Sequence, residues 1–540
     1  MLGWCGRKKG ISQNRLRVNT DTLDFKAGVQ SATSDCTPAF SFPIAFPSPR
    51  TSGAQLIALS CVNRRWTACH SNSLAIFVAL LLFTLVAAPA IATPYPNWPY
   101  WTYWQSGTGS WHDSSNWHTE LPHSDIVACI DNGGTAHITA DAAASYLVVG
   151  DSYAGNVTQP AGTNTITWGL YLGRESGSSR GTYNLSGGSL ASGIEDIGLS
   201  GAGAFTQSGG TNTMFQLYVG HGSGSTGTYI LSGGSLSGFE NYPATTQCII
   251  GYMGAGTFTQ SGETNTNWGS LLVGYDSGAT GTYNLSGGSL ASKSEGIAMS
   301  GTGTFNQSGG TNAVEMLYIG GGLYDGFGTY NMGGGLLEAQ DITVSSAGIF
   351  NVTSSEAAIL ISRGMGLMAG AVFSAVPGTT IHMTESYFYN GSTDETALAG
   401  LANLNLIFEG CNEVVSNHVE IAGWDFGADP FGFTDNFVLG GLTLGGADAA
   451  YLRLVNDVDN GNRGGVGGDA EALYVKKLVI NEGSTLNLNG YNLYTLDYTN
   501  LGGTILDGSV VVVPEPATLA LIAPALIGFA GIAFRRMGRR

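Results

Sequence analysis

The chain has 540 residues, 82 of them Gly, while Asp, Glu, Lys and Arg together supply only 11%. Gly is about twice as frequent as the usual ~7% and charge less than half the usual ~25%, which excludes a charged helical bundle; a hydrophobic content of 43% excludes plain disorder. The net charge of −18 divides into +6 over residues 1–92, −27 over 93–513 and +3 over 514–540, so nucleic acid is excluded as a partner for want of clustered cations, while cations and hydrated polysaccharide remain compatible.

Residues 1–73 form an extension and n-region without periodic pattern, and no Met occurs between Met1 and Met214. Two explanations stay open: translation starting near Val62 from a non-AUG codon, or a long cytoplasmic extension. The apolar run Leu74 to Ala88 follows Arg64 and Arg65 and precedes Ala90-Ile91-Ala92. A basic flank, a short apolar core and an A-x-A site predict a signal peptide over 74–92, cut by signal peptidase at Ala90 and Ala92. Arg64-Arg65 also fits the twin-arginine route. Export would remove Cys5, Cys36, Cys61 and Cys69, leaving Cys129, Cys248 and Cys411. Three cysteines so far apart make neither a disulfide framework nor a metal site.

Residues 93–127 are rich in aromatics: Tyr95, Trp98, Tyr100, Trp101, Tyr103 and Trp104. They read either as a platform for sugar rings or as a linker packed on the end of the next segment.

Residues 128–355 repeat. G-T-Y-N-L-S-G-G-S-L begins at Gly181 and again at Gly281, with close copies at Gly227 and Gly328. Related G-x-F-x-Q segments begin at Gly203, Gly256 and Gly303, and worn copies at Gly155 and Gly348, so nine copies average close to 24 residues. Tyr183 and Leu185 sit two apart and share a strand face; Leu217-Tyr218-Val219-Gly220 and its counterparts form a second strand. The Gly-Gly pairs are expected corners, with positive φ at Gly187 and Gly287. The prediction is all-β: a right-handed parallel β-helix-like solenoid of about nine Gly-rich coils, stacked at ~4.8 Å into a rod of roughly 40 Å. A β-propeller is the runner-up, but its ~40-residue blades would have to pair units that alternate in type.

These units resemble the repeat shared by autotransporter passengers and PEP-CTERM proteins, and Gly109-Ser110-Trp111 through Asp125 resembles the motif that opens such arrays. The resemblance covers about 107–355 and implies a secreted, surface-displayed β-helix without implying enzyme activity. Trp111 and Trp117 are then expected to cap the first coil.

Residues 356–513 lose the repeat but stay β-like: Leu404, Leu406 and Phe408 alternate with polar neighbours, and strands over 473–480 and 484–488 flank a turn at Asn481-Glu482-Gly483. A β-rich C-terminal domain and an irregular continuation of the solenoid both fit.

Candidate chemistry is sparse. Asp457-Val458-Asp459-Asn460-Gly461-Asn462 has the alternating carboxylates and Gly turn of a calcium loop, but Gly468 stands where an EF-hand needs Glu; Asp457 and Asp459 are weak calcium candidates and no other cofactor is expected. His112, His118 and His123 accompany Asp113 and Asp125 without zinc-site spacing. No P-loop occurs, and the G-x-S-x-G match at Gly177–Gly181 is a turn rather than a nucleophile elbow. The repeats offer only Arg174, Arg180 and Lys293 as cations against a uronate, which argues against a polysaccharide lyase. Thr163-Asn164-Thr165, Thr211-Asn212-Thr213 and Thr264-Asn265-Thr266 invite an ice-binding reading, yet they recur on every second coil only.

The C-terminus, 514–540, places Pro514-Glu515-Pro516 before an uncharged run from Ala517 to Phe534, long enough to cross a bilayer. Arg535, Arg536, Arg539 and Arg540 follow and anchor that end in the cytoplasm. Motif, apolar segment and arginine cluster together resemble the PEP-CTERM sorting signal of Gram-negative bacteria. The resemblance implies recognition by exosortase, a membrane-embedded protease or transpeptidase, with an inner-membrane precursor before processing. The expectation is a non-enzymatic structural protein of the cell surface or extracellular matrix, partnered by signal peptidase, exosortase and extracellular polysaccharide. The alternatives are a glycan-binding adhesin, a polysaccharide-acting β-helix enzyme and an ice-binding protein.

Overall fold

The computed structural model describes residues 100–514, apart from 240–244 and 322–324. The expected signal peptide with Ala90 and Ala92, Tyr95 and Trp98, the Glu515-Pro516 part of the sorting motif, the apolar segment 517–534 and the four terminal arginines lie outside the described residues.

One coil takes its form from its sequence. In Arg180–Leu185 the side chains alternate, with Tyr183 and Leu185 buried and Thr182 and Asn184 half-exposed. A Gly-Gly corner leads into Ser189–Ile197, which bends once and so supplies two sides of the coil. Each strand pairs in parallel with its counterpart one turn away, producing three ladders. The first ladder carries the Gly-Thr-aromatic motif, the second the Ser-Leu or Thr-Asn pairs, and the third the aliphatic Leu-x-Val runs. The result is a parallel β-solenoid of about 16 turns around a single apolar core.

The corners explain the glycine content. Positive φ falls on the second Gly of each pair, +74° at Gly188 and +75° at Gly288, and not on Gly187 or Gly287 as expected. Those first glycines are needed for room: a Cβ would lie 2.3 Å from the Pro160 carbonyl oxygen at Gly187 and 2.5 Å from that of Ser261 at Gly287. Neighbouring turns approach so closely there that no side chain fits.

Inside the first ladder the aromatic rings of successive turns stack. Tyr183, Phe205, Tyr229, Phe258, Tyr283, Phe305 and Tyr330 form a column with centroids 4.7–5.0 Å apart and ring planes within 10° of parallel. Adjacent strands in ordinary sheets are rotated by roughly 20–25°; here the turns superpose almost without rotation.

The count of about nine coils is corrected to about 16 turns. The recognisable repeat is the signature of the first ladder, whose last strand is Val372–Ala375. A 3-10 helix, Ala399–Asn403, then takes over that side, and Asn403 Nδ2 donates to the Ala375 carbonyl at 2.8 Å. The second ladder runs on through Leu404–Glu409, Leu439–Leu444 and Ala472–Ile480. The third runs on through Asn417–Glu420, Tyr451–Val455 and Thr485–Asn487. Residues 356–513 therefore continue the solenoid, and the two strands around Gly483 are consecutive sides of one turn, in different ladders, and not a hairpin. At the other end Trp101–Tyr103 already pairs with Val127–Ile130. Trp104, Trp111 and Trp117 are buried edge-to-face at the start of the core, the expected cap with one more tryptophan.

Candidate functional site

The alternation of Tyr and Phe turns has a chemical basis. On each Phe turn a Gln faces inward, and the Tyr hydroxyl of the next turn donates to it: Tyr229 to Gln207 Oε1 at 2.7 Å and Tyr283 to Gln260 Oε1 at 2.6 Å. The central Asn of the Thr-Asn-Thr triplet donates to that same hydroxyl, Asn265 to Tyr283 at 2.9 Å and Asn212 to Tyr229 at 3.2 Å. The Gln amide donates in turn to backbone oxygens, Gln207 Nε2 to Ser235 O at 2.9 Å. A buried hydroxyl without a partner would cost about 1–3 kcal/mol, so Gln and Asn must precede every Tyr by one turn. Two turns, not one, are the unit of the array. That is why the Thr-Asn-Thr triplets occur on every second coil: their Asn is a core residue.

Two carboxyls enter this core. Glu195 and Glu295 occupy third-ladder positions whose neighbours are Leu217 and Leu317, and both are fully buried. Ser192 Oγ donates to Glu195 Oε1 at 2.9 Å and Asn212 Nδ2 to Oε2 at 3.0 Å; Ser292 and Asn312 repeat the arrangement around Glu295 at 2.9 and 2.8 Å. Burial pushes each carboxyl up to about 7, against the two hydrogen bonds that favour the charged form. Sequence reading missed both, although the Ser-x-x-Glu spacing recurs at Ser192 and Ser292.

The sequence-predicted residues are placed as follows. Pro514 is exposed, directly after Val513, which is buried against Val438, Ala472, Tyr474 and Tyr494 on the outer side of the solenoid. Asp457 and Asp459 are exposed, and Asp459 only accepts from Gly461 N at 2.9 Å. Their loop is held by other groups. Val458 N donates to Glu420 Oε1 at 2.9 Å, Asn460 N to Glu471 Oε1 at 2.8 Å, and Arg463 Nη2 to the Val458 carbonyl at 2.9 Å. Burial raises Glu420 to about 7. No group of three or more His, Cys, Asp or Glu able to hold a metal occurs among the described residues.

The aromatic cluster is divided between two roles. Trp104 is only 3% exposed in the core, whereas Trp101 stacks on Tyr103 at 5.7 Å and carries the Arg174 guanidinium 5.5 Å from its ring. Asp113 caps the 3-10 turn Ser114–Asn116 instead of joining His112, His118 and His123 around an ion. Ser179 of the G-x-S-x-G match is buried and donates to the Gly150 carbonyl at 2.7 Å, a corner contact. Arg174 is paired with Asp151. Burial raises the Cys129 and Cys248 thiols.

Two outer surfaces were not anticipated. On the third ladder Tyr218 stacks on His221 at 4.3 Å, and His221 Nδ1 meets Asp196 at 2.5 Å; Tyr252 and Tyr275 continue the strip with rings 5.1 Å apart. On the first ladder the side chains flanking each buried aromatic point outward on every turn. The motif Gly-Thr-aromatic-Asn contained that array, but only the strand register shows that the copies superpose. Comparison with protein-family models, with curated proteins and with solved structures finds no match.

Proposed function

We propose that this chain is an exported, exosortase-sorted structural protein of the cell surface or extracellular matrix, without enzymatic activity. The observation that carries the reading is the use made of the repeat. Its Gly, aromatic, Gln and Asn residues all serve the stacking of one turn on the next, so what the sequence repeats is scaffold. An elongating stack with short exposed corners suits display on a surface. Right-handed coiling, the usual hand of parallel crossovers, and a membrane-spanning segment over 517–534 belong to the same proposal, as does an inner-membrane precursor. The acidic solenoid would reside in extracellular polysaccharide, with signal peptidase and exosortase as processing partners.

Pro514 supports the sorting step, because it lies exposed just after Val513, the last buried residue among those described. A protease at the membrane face would meet the chain at Pro514 without having to unfold the solenoid. The test is a C-terminal tag on the full chain in an exosortase-bearing host, with immunoblots of wild type and of the variant carrying Ala at 514, 515 and 516. Loss of the tag from wild type alone is expected. Equal loss from both would reduce the segment to a tail anchor. Depolymerisation of acidic polysaccharide by the purified protein with calcium would overturn the non-enzymatic part.

A further inference from the structure

The outer side of the first ladder repeats with unusual regularity. From Thr182 to Thr329 the first outward column holds Thr on six of seven turns, Ala204 being the exception. The second column, from Asn184 to Asn331, holds only Asn or Thr except at Ile230. Neither column contains a charged or an aromatic residue, in a chain of net charge −18. The objection that Thr-x-Thr triplets fall on alternate coils concerns the second ladder and does not apply here.

This face is flat, and the Asn side chains along part of its second column are tied to one another. The rings beneath it stack within 10° of parallel at 4.7–5.0 Å, so the columns run straight across seven turns. Asn306 Nδ2 donates to Asn284 Oδ1 at 2.9 Å, Asn331 to Asn306 at 2.8 Å and Asn351 to Asn331 at 2.9 Å, locking the amides in line. A Thr hydroxyl donates and accepts, so it matches a lattice whose members do both. Water molecules hydrogen-bonded tetrahedrally at ~2.75 Å place second neighbours ~4.5 Å apart. Against a turn spacing of ~4.8 Å the mismatch accumulates to about 2 Å over seven turns, less than half a lattice step. Sugar rings would call for aromatic platforms, and an ionic surface for charge; these two columns have neither, and in the outward column beside them charge and an aromatic ring occur only at its ends, at Arg180 and Phe327.

We propose that the first-ladder face from Thr182 to Asn331 binds ordered water and adsorbs to ice. This goes beyond the sorting and scaffold reading and does not depend on it. The test is thermal hysteresis and partition into growing ice, measured on the full chain. Wild type is expected to show both, and the Thr257→Lys plus Thr282→Lys variant to fall to the level of an inert protein while keeping its wild-type circular dichroism. Thr211→Lys plus Thr264→Lys, on the second ladder, is expected to keep activity. If the lysines disturb folding, Thr257→Leu plus Thr282→Leu must show the same loss. Absence of activity in wild type, retention in the first-ladder variants, loss confined to the second-ladder variant, or adsorption to crystalline polysaccharide in place of ice would each overturn the proposal. Failure would leave the tag-processing assay untouched, so the two readings are separately refutable.

Discussion

Replacing Glu195 and Glu295 by Gln should flatten the pH dependence of stability. Both carboxyls rise from an ordinary 4.5 to about 7 in the folded protein, chiefly by burial. The folded state therefore holds protons that the unfolded chain releases, and stability falls as pH rises from about 4.5 to about 7, then levels off. Each group contributes a slope of about 1.4 kcal/mol per pH unit in that window. Over the interval this sums to about 3 kcal/mol per carboxyl. Gln remains neutral throughout and has nearly the same shape. Asn212 Oδ1 and Asn312 Oδ1, which have no hydrogen-bond partner in the native core, can accept from the new amides after the Asn amides rotate. The assay is denaturant unfolding followed by circular dichroism at pH 5 and pH 8. Wild type should lose stability between the two, and the double variant should retain most of it, with a residual slope from Glu420. An identical decline in both proteins would refute the claim that these carboxyls are neutral, buried members of the core.

Gly188→Val should abolish folding, since φ is +74° and the Cβ would lie 2.1 Å from the Gly162 carbonyl oxygen, whereas Gly262→Ala, with 3.3 Å to Ser232 O and no positive φ, should be tolerated; thermal melts decide both. Trp111→Ala should cost about 3–5 kcal/mol and open the first turns to protease, a preference that limited proteolysis with mass mapping would detect. Asp457→Asn with Asp459→Asn should leave the melting temperature unchanged with or without calcium, because the loop is held by Glu420 and Glu471 and an Asn at 459 can still accept from Gly461 N.

The legibility of the fold followed its ladders. The first ladder announced itself, because Gly-Thr-aromatic strands and Gly-Gly corners use side chains that nothing else can replace. Beyond residue 375 the second and third ladders could be read equally as solenoid or as a separate β-rich domain, since Leu, Val and Ile in short alternating runs suit any half-buried strand. Their continuity lies in register, as between Leu406 and Leu442 or Leu454 and Val419, which a sequence does not display. The two-turn unit was half visible in the alternation of Tyr183 with Phe205, yet the reason for it, a hydroxyl needing an amide one turn away, required contacts. The anchoring of the 457–462 loop was hidden for the same cause: alternating Asp residues are a local pattern, while Glu420 and Glu471, which hold that loop, come from 37 and 14 residues away from Asp457. The outward Thr and Asn columns were hidden inside a motif already explained by its inward residues.

The array is built from pairs of turns, tied by Tyr, Gln and Asn. Deleting residues 181–226 removes one pair and brings Tyr229 onto the turn of Gln159 and Asn164. Deleting 203–226 removes one turn and sets Tyr229 over Leu185, with both hydroxyl partners, Gln207 and Asn212, gone. Side-by-side thermal unfolding of the two deletions is the most direct measurement. The pairwise deletion, although longer, should melt close to wild type, and the single-turn deletion should melt lower by a stability difference of about 1–3 kcal/mol. Equal melting of the two, or a lower midpoint for the longer deletion, would contradict the two-turn unit.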